Sequence, residues 1–134
     1  MTSEQNKAVV RRYAEAFNRG DVEGVIGLFS PDAIIYGVLG QGGTDVARPV
    51  WESLVQGLGM KLYIDEMVSE GDTVAVRYTE TGTFQGSFRG NEPTGKSYRV
   101  TAMEWFRLRD GKIIERWGAR DSAAIARQIG LDSL

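Results

Sequence analysis

The sequence contains no cysteine and no histidine. The first absence excludes disulfide bonds and leaves the redox compartment unconstrained. The second removes the commonest general base and the commonest metal ligand. No apolar stretch approaches the length that spans a bilayer. The polar start, Met1-Thr2-Ser3-Glu4-Gln5-Asn6-Lys7, is no secretion signal, so a cytoplasmic protein is expected. A basic stripe is missing too: the net charge is -2 with acids and bases interspersed, which argues against a nucleic-acid-binding surface. What remains is a chain of 134 residues with ordinary apolar and charged fractions, enough for one domain, 1–134, around one core. It shows no repeat, linker or low-complexity tract.

Helices dominate the first half. Thr2-x-x-Gln5 has the form of a capping box. Behind it Val9 or Val10, Tyr13, Ala16 and Phe17 recur at helical spacing to about Asn18. Asn18-Arg19-Gly20 ends that helix. Asp21 caps a second, whose apolar face is Val22, Val25, Ile26, Leu28 and Phe29, and Ser30-Pro31-Asp32 breaks it. Ala33 to Val38 reads as a short strand. The glycine-rich Leu39 to Gly43 lacks the lysine and the strand–helix setting of a phosphate cradle, and reads as a flexible connection. A third helix is predicted from near Pro49 to Leu58, with Val50, Leu54 and Leu58 as its inner stripe and Trp51 beside them.

From Met60 onward the pattern is all strand: Met60 to Glu70, a turn at Gly71-Asp72, then Thr73 to Phe84. A loop follows over Gln85 to Lys96. Next comes a long hairpin, Ser97 to Leu108 and Lys112 to Asp121, folded at Asp110-Gly111. Asp121 or Ser122 starts a short last helix anchored by Ile125, Ile129 and Leu131. Helices followed by a run of antiparallel strands mean an α+β fold, with a curved sheet wrapped on a few helices around an apolar interior that suits a small organic molecule.

The hairpin holds the position that most needs explaining. Side chains alternate faces along a strand, so Ala102, Glu104 and Phe106 share one face while Met103, Trp105 and Arg107 share the other. Both faces carry large apolar groups and both are expected to be covered. A carboxylate stands in the middle of one of them.

Several segments, in this order and spacing, resemble the SnoaL-like polyketide cyclases of the NTF2-like superfamily, relatives of ketosteroid isomerase and limonene epoxide hydrolase. They are Asn6-Lys7 with Arg11-Arg12-Tyr13 and Phe17-Asn18-Arg19-Gly20-Asp21; Gly71-Asp72-Thr73-Val74-Ala75-Val76-Arg77; Gly82-Thr83-Phe84-Gln85-Gly86; Pro93-Thr94-Gly95-Lys96; Phe106-Arg107, Asp110-Gly111-Lys112-Ile113 and Glu115-x-Trp117; and Gln128-Ile129-Gly130. The resemblance implies an NTF2-like cone, with three N-terminal helices on a strongly curved mixed or antiparallel sheet and a short C-terminal helix. It also implies a carboxylate inside the cone, often with a histidine. The cyclases typically carry Asp directly after the tryptophan of the last strand, where this chain has Gly118. They often have His or Asp at the position of Glu104, and His at the positions of Phe84 and Tyr36. The epoxide hydrolases use an Asp–Arg–Asp set, of which Arg77 matches the arginine while Thr79 and Gly118 replace the acids. The fold carries over; neither catalytic set does.

Glu104 is therefore the first candidate for a general base or acid, since a carboxylate in an apolar cavity has its pKa raised. The competing reading is an ion pair with Arg77 or Arg116 that holds the wall together. Asp121 matches a family acid four residues past the tryptophan, yet its position also makes it a natural helix cap. Arg77 would bind an oxyanion or pair with Glu104. Tyr13 and Tyr36 would donate to a ligand carbonyl or belong to the core. Trp51, Phe84, Phe106 and Trp117, with Tyr63 and Thr79, are expected to shape the pocket. Met103 and Trp105, on the opposite face, are expected to pair two subunits across a two-fold axis. The expected activity uses no metal or cofactor: proton abstraction beside the carbonyl of an apolar small molecule, leading to isomerisation or aldol-type ring closure. The alternatives are a non-catalytic binding module of the same fold or, more distantly, an epoxide hydrolase.

Overall fold

The computed structural model describes residues 2–37 and 40–134. Helix α1 (Ser3–Asn18) opens with the expected box: Gln5 N–H donates to Thr2 Oγ1, and Thr2 N–H donates back to Gln5 Oε1. Its inner face is Val9, Val10, Tyr13, Ala14, Ala16 and Phe17. Helix α2 (Val22–Ile26) is capped by Asp21, whose Oδ1 accepts from Gly24 N–H at 2.8 Å. It is shorter than its apolar pattern suggests. Phe29, expected on that helix, instead begins strand β1 (Phe29–Gly37), and Ser30-Pro31-Asp32 runs within the strand. Proline is admissible at the start of a strand, where one fewer N–H is tolerated.

Glycine-rich residues expected as loose connection form a short edge strand, β2 (Gly40–Gly42), paired antiparallel to β1. Val38 and Leu39, at the end of the predicted strand and the start of that connection, lie outside the described residues. Helix α3 (Thr44–Leu58) begins five residues earlier than Pro49 and takes the proline inside it. The proline lies in the second turn, so the helix starts at Thr44 without needing the expected signal. Gly59, at φ +55°, closes the helix in the left-handed conformation that glycine adopts without steric cost.

Strands β3 (Lys61–Glu70), β4 (Thr73–Thr83), β5 (Ser97–Arg109) and β6 (Lys112–Arg120) form the antiparallel meander that the sequence predicts. The hairpin turn is tight, with Asp110 and Gly111 both at positive φ, as a type I′ turn requires. The sheet order is β2-β1-β6-β5-β4-β3, and β1 runs parallel to β6, which makes the sheet mixed. Helix α4 (Ser122–Ile129) follows, with Asp121 Oδ1 accepting from Ala124 N–H at 3.0 Å. Among the described residues no helix is long and apolar enough to cross a membrane.

An aromatic cluster fastens the helices to the concave face. The Tyr13 ring packs edge-on at 5.0 Å against both Phe17 and Phe106, and Trp51 lies 5.6 Å from Phe17 and 5.5 Å from Phe29. These contacts join α1, α3, β1 and β5 beneath one end of the interior. The other end stays open.

Candidate active site

Strand register decides which side chains reach the interior. Glu104 faces Gly118 across the β5–β6 ladder and Val76 across the β4–β5 ladder. From Glu104 the inward set follows by alternation: Val74, Val76, Tyr78 and Glu80 on β4, and Arg116, Gly118 and Arg120 on β6. A cavity of about 430 Å³ opens over this wall, closed on its far side by Phe17, Trp51 and Leu54. Its size is that of a small-molecule site.

Two buried ion pairs stand on the wall. In the first, Glu104 Oε2 accepts from Tyr13 Oη at 2.8 Å and from Arg116 Nε, while Arg116 Nη1 also donates to the Tyr36 carbonyl at 3.2 Å. Glu104 is 8% exposed, and its Oε1 is buried without a hydrogen-bond partner, as is the Tyr78 hydroxyl. Burial raises the Tyr13 hydroxyl well above its ordinary pKa, and the Glu104 charge raises it further, so Tyr13 remains a donor. Burial raises Tyr78 in the same way, again with Glu104 adding to the effect. For Arg116 burial acts to lower the pKa, but the Glu104 carboxylate outweighs it and the guanidinium stays charged.

In the second pair, Glu80 Oε2 accepts from Tyr98 Oη and from Arg120 Nη2, both at 2.6 Å. Glu80 is only 2% exposed. Burial pushes its carboxyl above the ordinary range, against the opposing pull of Arg120 and Tyr98; the Glu104 charge adds to the rise. The folded chain therefore holds a proton on Glu80 at a pH where the unfolded chain has released it. That stabilisation is present at the acid end and lost as pH rises through the folded-state value. In urea unfolding from pH 4 to 7, the stability of the wild type relative to Glu80→Gln is expected to grow as pH falls. A difference that shrinks toward acid would contradict this account.

Gly118, the position at which the family resemblance implies an acid, leaves its space to a neighbour. A Cβ there would run into Nη2 of Arg116 and lie 2.6 Å from its Cζ. The guanidinium that binds Glu104 thus occupies the space a side chain at 118 would need.

The sequence-predicted residues divide sharply. Glu104 and Trp51 line the cavity, and Tyr13 holds Glu104 from below. Phe106 and Phe84 are fully buried core residues that do not reach the cavity. Arg77 lies on the outer face opposite Met103 and pairs with Asp65 at 3.5 Å, not with Glu104. Thr79 shares that face and donates to Asp65 Oδ2 at 2.7 Å. An acid–arginine–acid set built on Arg77 is therefore absent from the cavity. Asp121 caps α4. Tyr36 and Trp117 stack on each other at 5.0 Å, and Trp117 lies opposite Trp105, so both belong to the outer face; Tyr63, opposite Thr79, joins them there. The cause is parity: Glu104 meets Gly118, which turns Trp117 away.

Glu80, Tyr78, Tyr98, Arg116 and Arg120 went unmarked as site residues in the sequence. The signal for Glu80 was present. It shares an alternation with Val74, Val76 and Tyr78, an acid on an apolar face like Glu104. Among the described residues no group of three or more His, Cys, Asp or Glu is placed to hold a metal ion.

A curved mixed sheet wrapped by helices around a cavity with ionisable groups on its wall defines the ketosteroid isomerase-like class of α+β domain. Within that class the chain belongs to the SnoaL-like polyketide cyclase family, whose model matches residues 7–129. AclR from Streptomyces galilaeus, a proposed hydroxylase, is 28% identical; the match covers 96% of this chain and 83% of that chain with a TM-score of 0.88. IdmH from Streptomyces antibioticus, a proposed polyketide cyclase, is 29% identical, with 95% and 99% covered and a TM-score of 0.82. A ketosteroid isomerase-like protein from Catenulispora acidiphila, solved with trimethylamine, shares the fold at 16% identity, with 92% of each chain covered and a TM-score of 0.78. At the family level this sets the chain among small-molecule enzymes and binding modules.

Proposed function

We propose that the chain, acting as a single domain, is an acid–base enzyme on an apolar, carbonyl-bearing small molecule. The observation that carries this reading is Glu104: a buried carboxylate with Oε2 held by Tyr13 and Arg116 and Oε1 left without a protein partner at the cavity wall. Oε1 takes a proton from the carbon beside the carbonyl, and the C–H pair passes into an enolate. The Tyr78 hydroxyl, also without a protein partner, donates to the developing oxyanion. Return of the proton at another carbon gives isomerisation; attack of the enolate carbon on a second carbonyl gives ring closure, the proton held by Glu104 passing to the alkoxide so formed. The test is exchange of the α-protons of beta-tetralone in deuterated buffer, followed by NMR. Exchange well above that in buffer with an equal concentration of acetate is expected. Binding of the ketone with no such acceleration would overturn the assignment of a base.

The second reading is a binding module of the same fold. It is favoured by one feature: the Arg116 guanidinium fills the space beside Gly118 and ties down half of Glu104. Tight binding without exchange is the result it requires.

The convex face supports a homodimer. Val68, Ala75, Trp105, Trp117 and Tyr36 stand in register across five strands, with Met103 beside them, and Trp105 and Met103 are 49% and 54% exposed. An apolar row of this kind fits a self-complementary surface. Trp105→Lys is expected to convert a dimer into a monomer in analytical ultracentrifugation while leaving the fold intact. A wild type that sediments as a monomer at micromolar concentration would remove the proposal.

A further inference from the structure

The loop between β4 and β5 carries a residue that its own turn does not favour. Phe88 N–H donates to the Asn91 carbonyl at 3.2 Å, and Asn91 N–H donates back to the Phe88 carbonyl at 2.9 Å. The two residues between them, Arg89 and Gly90, both have positive φ, +49° and +77°. This is the geometry of a two-residue hairpin turn, in which asparagine or aspartate followed by glycine is the favoured pair. The turn after β5 conforms, with Asp110-Gly111. At Arg89 the left-handed conformation crowds a Cβ, and the long side chain offers no local acceptor to offset it. The turn alone gives no reason for an arginine here.

Placement supplies one. Arg89 lines the cavity, and its guanidinium lies over the Phe88 ring, 5.2 Å from the centroid. Phe88 is only 1% exposed and lines the cavity too, so the arginine rests on the rim of an apolar wall. Arg89 itself is exposed, and a ligand at the mouth reaches it without entering the buried network behind. Three arginines line this cavity: Arg89, Arg116 and Arg120. Arg116 is held by Glu104 and Arg120 by Glu80. Arg89 makes no ion pair among the described residues. Asp132, an acid that lines the same cavity, is not paired with it either. Burial lowers the Arg89 pKa from its ordinary value and the Arg120 charge lowers it further, so two cations act on each other at this corner.

We infer that Arg89 anchors the ligand at the cavity mouth, and that the apolar molecule taken by the cavity carries a carboxylate at its outward end. The carboxylate accepts from the Arg89 guanidinium, whose planar fork of donors suits it. The body of the molecule lies inward against Val50, Trp51 and Leu54. The contact requires no access to Glu80 or to the unpartnered oxygen of Glu104. The inference rests on the reading of the cavity as the ligand site and adds a charge to the substrate class. It does not depend on Glu104 being the base.

The probes are 2-naphthylacetate and 2-naphthylacetamide, alike in shape and different in charge. Affinities are measured by titration calorimetry at neutral pH, at low salt and again at about 0.5 M salt, where exposed charges are screened. The wild type is expected to bind the acid about three- to tenfold more tightly than the amide at low salt, the range for a partly exposed charge-assisted contact, and to lose most of that preference at high salt. Arg89→Asn is expected to abolish the preference while leaving amide affinity unchanged. Because asparagine suits the turn, this variant is also expected to unfold in urea at a midpoint no lower than that of the wild type. Arg109→Gln, which removes a cation remote from the cavity, is expected to keep the preference. Equal binding of the two probes by the wild type overturns the anchor, as does a preference that survives Arg89→Asn or one that Arg109→Gln also abolishes. Loss of the preference together with a lowered urea midpoint makes Arg89 a structural residue and overturns it as well. Accelerated α-proton exchange of beta-tetralone with no preference for the acid removes this inference and leaves the proposed function standing. Binding of neither probe, with no such exchange, removes both.

Discussion

Glu104→Gln should lower α-proton exchange about 10²–10⁴-fold, the range that a positioned general base contributes. The substitution is close to isosteric. The amide oxygen can still accept from Tyr13 and Arg116, as Oε2 does now, so the hydrogen bonds of the wall are kept. What disappears is the proton acceptor at Oε1 and the charge that balances Arg116. The measurement is the exchange rate of beta-tetralone with binding monitored in parallel. The expected result is retained binding with lost exchange. Exchange at the wild-type rate would eliminate Glu104 as the base. Tyr13→Phe is a useful companion: it should leave the chemistry in place while loosening the carboxylate.

Arg116→Met should destabilise the fold by about 3–5 kcal/mol, the scale for orphaning one partner of a buried ion pair. Arg116 is the counter-charge of Glu104 and also the donor to the Tyr36 carbonyl on the parallel neighbour strand. Removing it leaves a carboxylate on an apolar wall with only the Tyr13 hydroxyl. The double variant Glu104→Gln/Arg116→Met removes both charges and should be markedly more stable than Arg116→Met alone. Urea unfolding of the three variants closes the cycle. A near-neutral Arg116→Met would show that water reaches Glu104 freely and that the pair is a surface interaction.

The fold was readable from the chain because its signals are local and repeated. The capping box at Thr2, the Asp110-Gly111 turn and the alternation of β5 need no knowledge of the rest of the molecule. Proline reads as a first-turn residue, so the sequence starts helix α3 near Pro49, whereas the helix begins at Thr44 and the proline lies one turn deeper. The site was harder. Glu104 announces itself as an acid among apolar neighbours, and strand register then fixes everything else. Which of two faces is concave is a property of the whole sheet. On β4 both faces carry apolar and charged residues, so Arg77, Ala75 and Thr79 offered as plausible an inner face as Val76, Tyr78 and Glu80. Only the latter face carries the second ion pair. Trp117 carries the same ambiguity: a tryptophan on a strand looks like pocket wall until its partner is known to be Trp105.

The guanidinium crowding Gly118 also constrains how this cavity could change over descent. The end of an arginine side chain can swing aside, so an aspartate at 118 is not forbidden by bulk. It would instead give Arg116 two acids to choose between. Any lineage moving between this arrangement and one with an acid at 118 passes through a form in which two carboxylates compete for one cation, unless position 104 or 116 changes first.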